Sequence, residues 1–386
     1  MKYPIYFDNA ATTFPKPPSV LRAVERTMRE SGGNPGRGSH RLARAAASIL
    51  YGCRESIAEL VGLDDPTRIV FTPNTTAALN IAIKGFLKAG DHVLISDLEH
   101  NSVLRPIVSM GETHSVTYSV FSTCDLRFPR DVEFELLSHL KPGTRAVICT
   151  HASNLCSRTL PIREIGAFCK KHGLIFIVDA AQSIGHCKID MRADHITALC
   201  APGHKGLYGP QGSGFLALSD GLSETELPSP LLEGGSGFQS LLPTMPDLPP
   251  ERYEAGTAST PMIAGLQAGI RFVRDVGIEA IAEKECRLYR MLRDGLYEFA
   301  DVTIYAPETE GSVLSFSVQG RPSEEIADVL DESNICVRAG FHCAALAHKT
   351  LGTSQDSGAV RVGFGYFNTA DEVHRMLSAV RRILRV

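Results

Sequence analysis

The chain has 386 residues, 44% of them hydrophobic and 21% charged, with a formal net charge of −4. That balance belongs to a soluble globular protein and makes no electrostatic case for binding nucleic acid or an anionic membrane. No run approaches the roughly 18 apolar residues that span a bilayer. The start, Met1 to Asp8, lacks the apolar core of a signal peptide, so a cytoplasmic location is expected.

The length suggests two domains. Ten cysteines are scattered without a C-x-x-C pair, so neither a metal site nor a disulfide framework is expected. Several, such as Cys149 and Cys200, sit in apolar runs and read as small buried hydrophobes.

From Arg68 to Leu218 short β-branched runs alternate with helical patterns. Strands are predicted at Arg68–Phe71, His92–Ser96, Ser115–Phe121, Arg145–Thr150, Leu174–Asp179, His195–Cys200 and Gly214–Leu218. Helices are predicted at Thr75–Leu87, Arg130–Leu140 and Ile162–His172, the last bounded by Pro161 and Gly173. Alternation of this kind argues an α/β fold with a mostly parallel sheet, whose ligands sit at the carboxyl ends of the strands. Residues 224–256 are rich in proline and glycine and read as a long loop over a site or subunit contact. Beyond it come helical patterns at Thr260–Val276 and Glu279–Phe299, then strands at Val302–Tyr305 and Ser312–Val318. A helix at Ser323–Glu332, a strand at Gly358–Gly363 and a last helix from Asp371 complete a smaller α/β unit. The expected division is a large domain over 16–255 and a small one over 256–386, joined by segment 1–15 and carrying Cys343 and Arg361.

One pair of residues stands out. Lys205 lies in a glycine-rich turn, Gly203-His204-Lys205-Gly206, downstream of Asp179 at the end of an apolar strand. Pyridoxal 5′-phosphate (PLP) chemistry needs such a pair, an amine to bind the cofactor and a carboxylate to keep its ring nitrogen protonated. Taken singly, the aspartate reads as a helix cap and the lysine as a surface residue; together, among these glycines, they point to a site. Gln182 follows the aspartate, within reach of the cofactor's phenolic oxygen. Asn74-Thr75-Thr76 falls between a strand and a helix, where backbone N–H groups and hydroxyls can hold a phosphate. His100 follows the next strand, where an imidazole can stack on a ring or simply face solvent from a loop.

In order and spacing these residues resemble the cysteine desulfurase and selenocysteine lyase group, within the class V aminotransferase branch of fold-type I PLP enzymes. Other carriers are Phe7-Asp8-Asn9-Ala10-Ala11-Thr12-Thr13, Ser153-Asn154, Glu254-Ala255-Gly256-Thr257 and Arg338-Ala339-Gly340-Phe341-His342-Cys343. The resemblance implies that Lys205 holds PLP, Asp179 pairs with its ring nitrogen and Gln182 bonds its phenolic oxygen. It implies that His100 stacks on the ring and assists proton transfer, and that Thr75, Thr76 and His204 bind the phosphate. Thr257 would reach the phosphate site of a second subunit, since such enzymes form homodimers. Asn154 would touch cofactor or substrate, with Ala10, Arg338 and Arg361 at the substrate and Arg361 clamping its carboxylate. Cys343 would be the nucleophile that takes sulfur from L-cysteine as a persulfide, releasing alanine, and His342 beside it a group that lowers the thiol pKa. The short segment between Cys343 and Arg361 resembles the subgroup that needs a sulfur acceptor and tolerates selenocysteine. One departure is Pro202, where relatives carry a serine or threonine that donates to the phosphate; proline donates nothing. Other chemistries on the same fold remain open at this level, namely aminotransferase, epimerase or β-lyase activity, or a PLP-binding scaffold without turnover.

Overall fold

The fold is given by a computed structural model, which describes residues 4–36, 38–126, 128–353 and 357–384. In chain order the strands are β1 (Ile5–Tyr6), β2 (Ile69–Thr72), β3 (His92–Ser96), β4 (Thr117–Phe121), β5 (Thr144–Thr150) and β6 (Ile175–Asp179). They continue as β7 (Ala198–Pro202), β8 (Gly214–Leu218), β9 (Val302–Ile304), β10 (Val313–Val318), β11 (Ile335–Cys336) and β12 (Val360–Gly363). The helices are α1 (Pro18–Glu30), α2 (Arg41–Val61), α3 (Thr75–Phe86), α4 (Asn101–His114), α5 (Pro129–His139) and α6 (Ile162–His172). After these come α7 (Thr260–Val276), α8 (Ile278–Leu296), α9 (Ser323–Glu332), α10 (Ala345–Thr350) and α11 (Ala370–Ile383).

A seven-stranded sheet has the order β2-β8-β7-β6-β5-β3-β4. Strands β7, β6, β5, β3 and β4 pair in parallel, whereas β8 is antiparallel to both β7 and β2. Only β8 therefore runs backwards, and the other six strands all end on one edge. This is the mostly parallel α/β fold expected. Side chains alternate between faces along each strand. Val147, Cys149, Phe176 and Val178 join the core beneath α2, α5, α6 and α7, while Ala146, Ile148 and Ile177 join the core beneath α3 and α4.

The second layer is smaller. Strands β12-β10-β9 form an antiparallel sheet packed on α8, α9 and α11, and β1 pairs with β11 beside it. The N-terminal strand thus ends next to β12, with Asp8 bridged to Gly363. Helix α7 lies against α1 and α2 and contributes Ile263, Leu266 and Ile270 to the core of the large sheet.

Most element ends lie within three residues of their expected positions. Strand β7 starts at Ala198 and runs through Pro202, because His195 takes a positive φ of 52° and makes a turn. The segment 224–256 is irregular apart from a short 3-10 turn at Glu224–Glu226, and its Leu231, Leu232 and Leu241 are exposed. Its end is tied down by a buried ion pair. Arg54 donates to both carboxylate oxygens of Glu254 (2.9 and 2.7 Å) and lies over the Phe71 ring, and Glu254 also accepts the Phe71 N–H. Removing one member strands a charge in the interior, which typically costs about 3–5 kcal/mol. Urea unfolding should therefore show Arg54→Met losing stability on that scale, with the double variant Arg54→Met/Glu254→Gln recovering much of it. Equal loss in both variants would contradict this role.

Candidate active site

The carboxyl edge of the large sheet carries the chemistry. The turn after β2 presents Asn74 to Thr76, the end of β3 leads to His100, and β5 leads to Asn154. Strand β6 ends at Asp179, and the turn after β7 holds His204 and Lys205. Ala10 arrives from the N-terminal segment, and Arg338, Cys343 and Arg361 arrive from the smaller layer. These residues, with Thr75, Gln182 and His342, line one cavity of about 230 Å³.

Close packing shapes the lysine turn. A Cβ on Gly206 would lie 2.1 Å from the Ile184 carbonyl oxygen, so only glycine lets this backbone sit against its neighbour. Lys205 is half-buried at the cavity wall, and desolvation lowers its amine pKa to about 8, with Asp179 opposing and Arg361 and Arg338 reinforcing the shift. Asp179 is only 2% exposed, accepts the Ala181 N–H at 2.9 Å and makes no ion pair among the described residues. Burial raises its pKa, opposed by that hydrogen bond and by Lys205. A buried carboxylate lacking a bonded cation, beside a lysine, is a site for a protonated ring nitrogen.

His100 caps α4. Its Nδ1 accepts the Ser102 N–H at 3.0 Å and lies 2.6 Å from the Ser102 hydroxyl. Burial first, then Lys205 and nearby arginines, lower its pKa to about 4. The ring is neutral at pH 7, and with Nδ1 accepting, its proton is on Nε2. The amide nitrogen of Gln182 donates to the Ala10 carbonyl at 3.0 Å, leaving its second N–H for a ligand.

At the other end of the cavity, Asn74 caps α3 by accepting the Ala77 N–H, and Thr75 and Thr76 are the first residues of that helix. His204 is neutral at pH 7, its pKa lowered by burial and by Lys205 and Lys16 to about 4. Its Nδ1 is buried with no hydrogen-bond partner among the described residues. A helix start, two hydroxyls and an unpartnered imidazole nitrogen suit a phosphate.

The arginines are held by main chain. Arg361 is 2% exposed, donating through Nη2 to Asp8 Oδ1 at 2.9 Å and through Nη1 to the Asn154 carbonyl at 3.2 Å. Its Nε is buried and unpartnered among the described residues, so the guanidinium keeps donors for an incoming carboxylate. Strand β12 bridges back to Arg338, which places both arginines at the same cavity. Asp8 is the functional residue that sequence reasoning passed over. Its place in the Asp8-Asn9-Ala10-Ala11-Thr12-Thr13 run was visible, but its arginine partner is distant in sequence.

Cys343 is exposed at this cavity, with φ of 55°, and its carbonyl accepts the Asn101 N–H at 2.8 Å. The loop is pinned from two sides. Asn154 donates its side-chain N–H to the His342 carbonyl at 2.9 Å, and Gly358, φ 78°, packs its Cα against the Gly340 carbonyl where a Cβ would lie 2.2 Å away. His342 does not supply the charge expected of it. Its Nε2 points to the Ala359 carbonyl at 2.9 Å, and burial lowers its pKa to about 3, so the ring is neutral beside the thiol.

Thr257 is not brought into this cavity. It lies exposed in a larger groove of about 580 Å³, where its hydroxyl accepts from Asn34 at 3.3 Å. That groove holds no comparable cluster of titratable groups, since its Arg54 and Glu254 are bonded to each other. Among the described residues no helix is long and apolar enough to cross a membrane.

A family model for class-V aminotransferases matches residues 5–376. The chain is 33% identical to a probable cysteine desulfurase of Methanothermobacter thermautotrophicus, over 98% of this chain and 94% of that protein. It is 32% identical to one of Pyrococcus abyssi, over 99% and 94%. Among solved structures, the apo cysteine desulfurase of Thermococcus onnurineus covers 99% of this chain and 95% of its own, at 31% identity and a TM-score of 0.88. With that match running through every strand that bears a cavity residue, the chain belongs to the class-V aminotransferase family, alongside its cysteine desulfurases.

Proposed function

We propose that this protein is a PLP-dependent cysteine desulfurase, taking sulfur from L-cysteine onto Cys343 and releasing L-alanine. One observation carries the reading. An exposed thiol opens into the same small cavity as a half-buried lysine, a buried unpaired carboxylate and a buried arginine.

The residues fit the cofactor. Asp179 would hold its ring nitrogen, Gln182 its phenolic oxygen, and Thr75, Thr76 and His204 its phosphate, with His100 against the ring. When bound, PLP supplies an electron sink that weakens the bonds around the substrate's Cα and Cβ. Everything else falls to the chain. Arg361, oriented by Asp8 and assisted by Arg338 and Asn154, binds the substrate carboxylate beside Ala10. Lys205, an amine with a lowered pKa, would hold the cofactor and, as a free amine, would take the Cα proton of the bound substrate. His100 can hold or return a proton at Nε2. The Cys343 thiolate attacks the substrate sulfur, forming a persulfide as the Cβ–S bond breaks.

Finer features follow from the same reading. L-selenocysteine is a second substrate, a protein thiol accepts the persulfide, and the enzyme works in the cytoplasm as a homodimer. In that dimer Thr257 completes the phosphate site of a second copy.

The deciding experiment measures alanine release from L-cysteine by the wild type and Cys343→Ala, with visible spectra of both. The wild type should be yellow and form alanine. The variant should keep the colour and lose at least about a hundredfold in rate, the scale of removing a nucleophile, while retaining part of any selenocysteine activity. Yellow protein that makes no alanine even with a reductant would direct the search to other amino acids.

Asp8→Asn should raise KM for cysteine about tenfold with a smaller change in kcat, since a looser Arg361 weakens ground-state binding. An unchanged KM would remove Asp8 from the site. The lysine has its own signature. A lowered lysine pKa means more free amine at neutral pH, so cofactor capture by the stripped protein should quicken as pH rises and level off above about 8. A rate still climbing at about pH 10, as for an ordinary lysine, would contradict the desolvation of Lys205.

A further inference from the structure

Lys16 is a half-buried cation that the mechanism does not use. It lies outside the cavity lining, yet its Nζ donates to the His204 carbonyl at 2.8 Å and to the Thr13 hydroxyl at 2.7 Å. That carbonyl is a point of convergence. It also accepts the Thr13 N–H at 3.0 Å and lies 3.2 Å from both the Thr12 and Thr13 hydroxyls. The ammonium makes the strong, charge-assisted bond of the set. It lands on the peptide unit joining His204 to Lys205.

The charge has no anionic partner. Among the described residues Lys16 makes no ion pair, and burial lowers its pKa to about 7. Partial desolvation of an ammonium without a counter-ion disfavours its charge, and a nearby anion would relieve that. The phosphate end of the cavity has the opposite deficit. Pro202 has no N–H to donate, and His204 is neutral and brings hydrogen-bonding capacity without charge. The unpaired ammonium meets this uncharged stretch of main chain, residues 202–205, at the His204 carbonyl.

On the PLP reading given above, we propose that Lys16 is a positioning residue for the phosphate end of the cofactor. It fixes the His204–Lys205 peptide and supplies there a positive charge that Pro202 and the neutral His204 do not. Lys16 touches the main chain of the site and not the substrate.

The phosphate separates this role from a merely structural one. Cofactor-stripped full-length protein is titrated with PLP and with pyridoxal, which lacks the phosphate, for wild type, Lys16→Gln and Lys16→Arg. Binding is read by absorbance and fluorescence, with a thermal melt of each stripped protein as a check on folding. Lys16→Gln should weaken PLP binding about tenfold, the scale of one partly buried charge interaction, and leave pyridoxal binding within about twofold. Lys16→Arg should keep the preference for PLP. Two results overturn the proposal: PLP binding by Lys16→Gln equal to wild type, or equal losses for PLP and pyridoxal. Should Lys16→Gln fail to fold, Lys16→Arg decides, since loss of its PLP preference with pyridoxal binding intact would also overturn it. A wild type that binds neither compound would instead refute the cofactor reading itself.

Discussion

Burying a carboxylate without a cation bonded to it is expensive, and Asp179 is buried in that way at the end of the central strand β6. A fold tolerates such a group when a ligand completes it, and the neighbouring elements are arranged to bring that ligand there. Six strands of the large sheet end on the same edge, so the turns after β2, β3, β5 and β7 all open towards Asp179. The smaller layer closes the other side, with Arg361 locked to Asp8 and Asn154. The cavity is small because both layers contribute side chains to it, and its polarity comes from groups whose partners are incomplete.

Electrostatics assigns the roles within the cavity. Burial and neighbouring cations keep His100, His204 and His342 neutral at pH 7, and the same forces lower Lys205 to where free amine is available. The permanent positive charge is on Arg361 and Arg338, at the end proposed to bind a substrate carboxylate. The exposed Cys343 lines the same cavity on a loop whose backbone is constrained by Asn154, Gly358 and Asn101. That loop needs to move little for Cys343 to remain at the cavity mouth, and its neighbour His342 acts through packing and a carbonyl bond, not through charge.

Much of this was legible in the sequence because parallel strands buried on both faces are continuous apolar runs, and glycine and proline mark their ends. Strands β3 and β8 and helices α6, α7 and α9 lie where the pattern places them. Helix α4 was not singled out, since Pro106 interrupts its pattern. Helices α1 and α2 precede the first clear strand and carry no site residue. The two-residue strands β1 and β11 are set by pairing between distant segments, which no local pattern records. The same limit hid the Asp8–Arg361 and Lys16–His204 contacts. The neutral state of His342 was also out of reach, because adjacency to Cys343 says nothing about where an imidazole points.

The central claim is that this cavity moves a sulfur atom from a small amino acid to one thiol of the protein. The most direct measurement is peptide mapping by mass spectrometry after a brief exposure of the PLP-loaded protein to L-cysteine, followed by alkylation without reductant. The account predicts one added sulfur on the peptide carrying Cys343 and on none of the peptides carrying the other nine cysteines. Alanine formation with no added sulfur at Cys343, or sulfur spread evenly over exposed thiols such as Cys124, would contradict it.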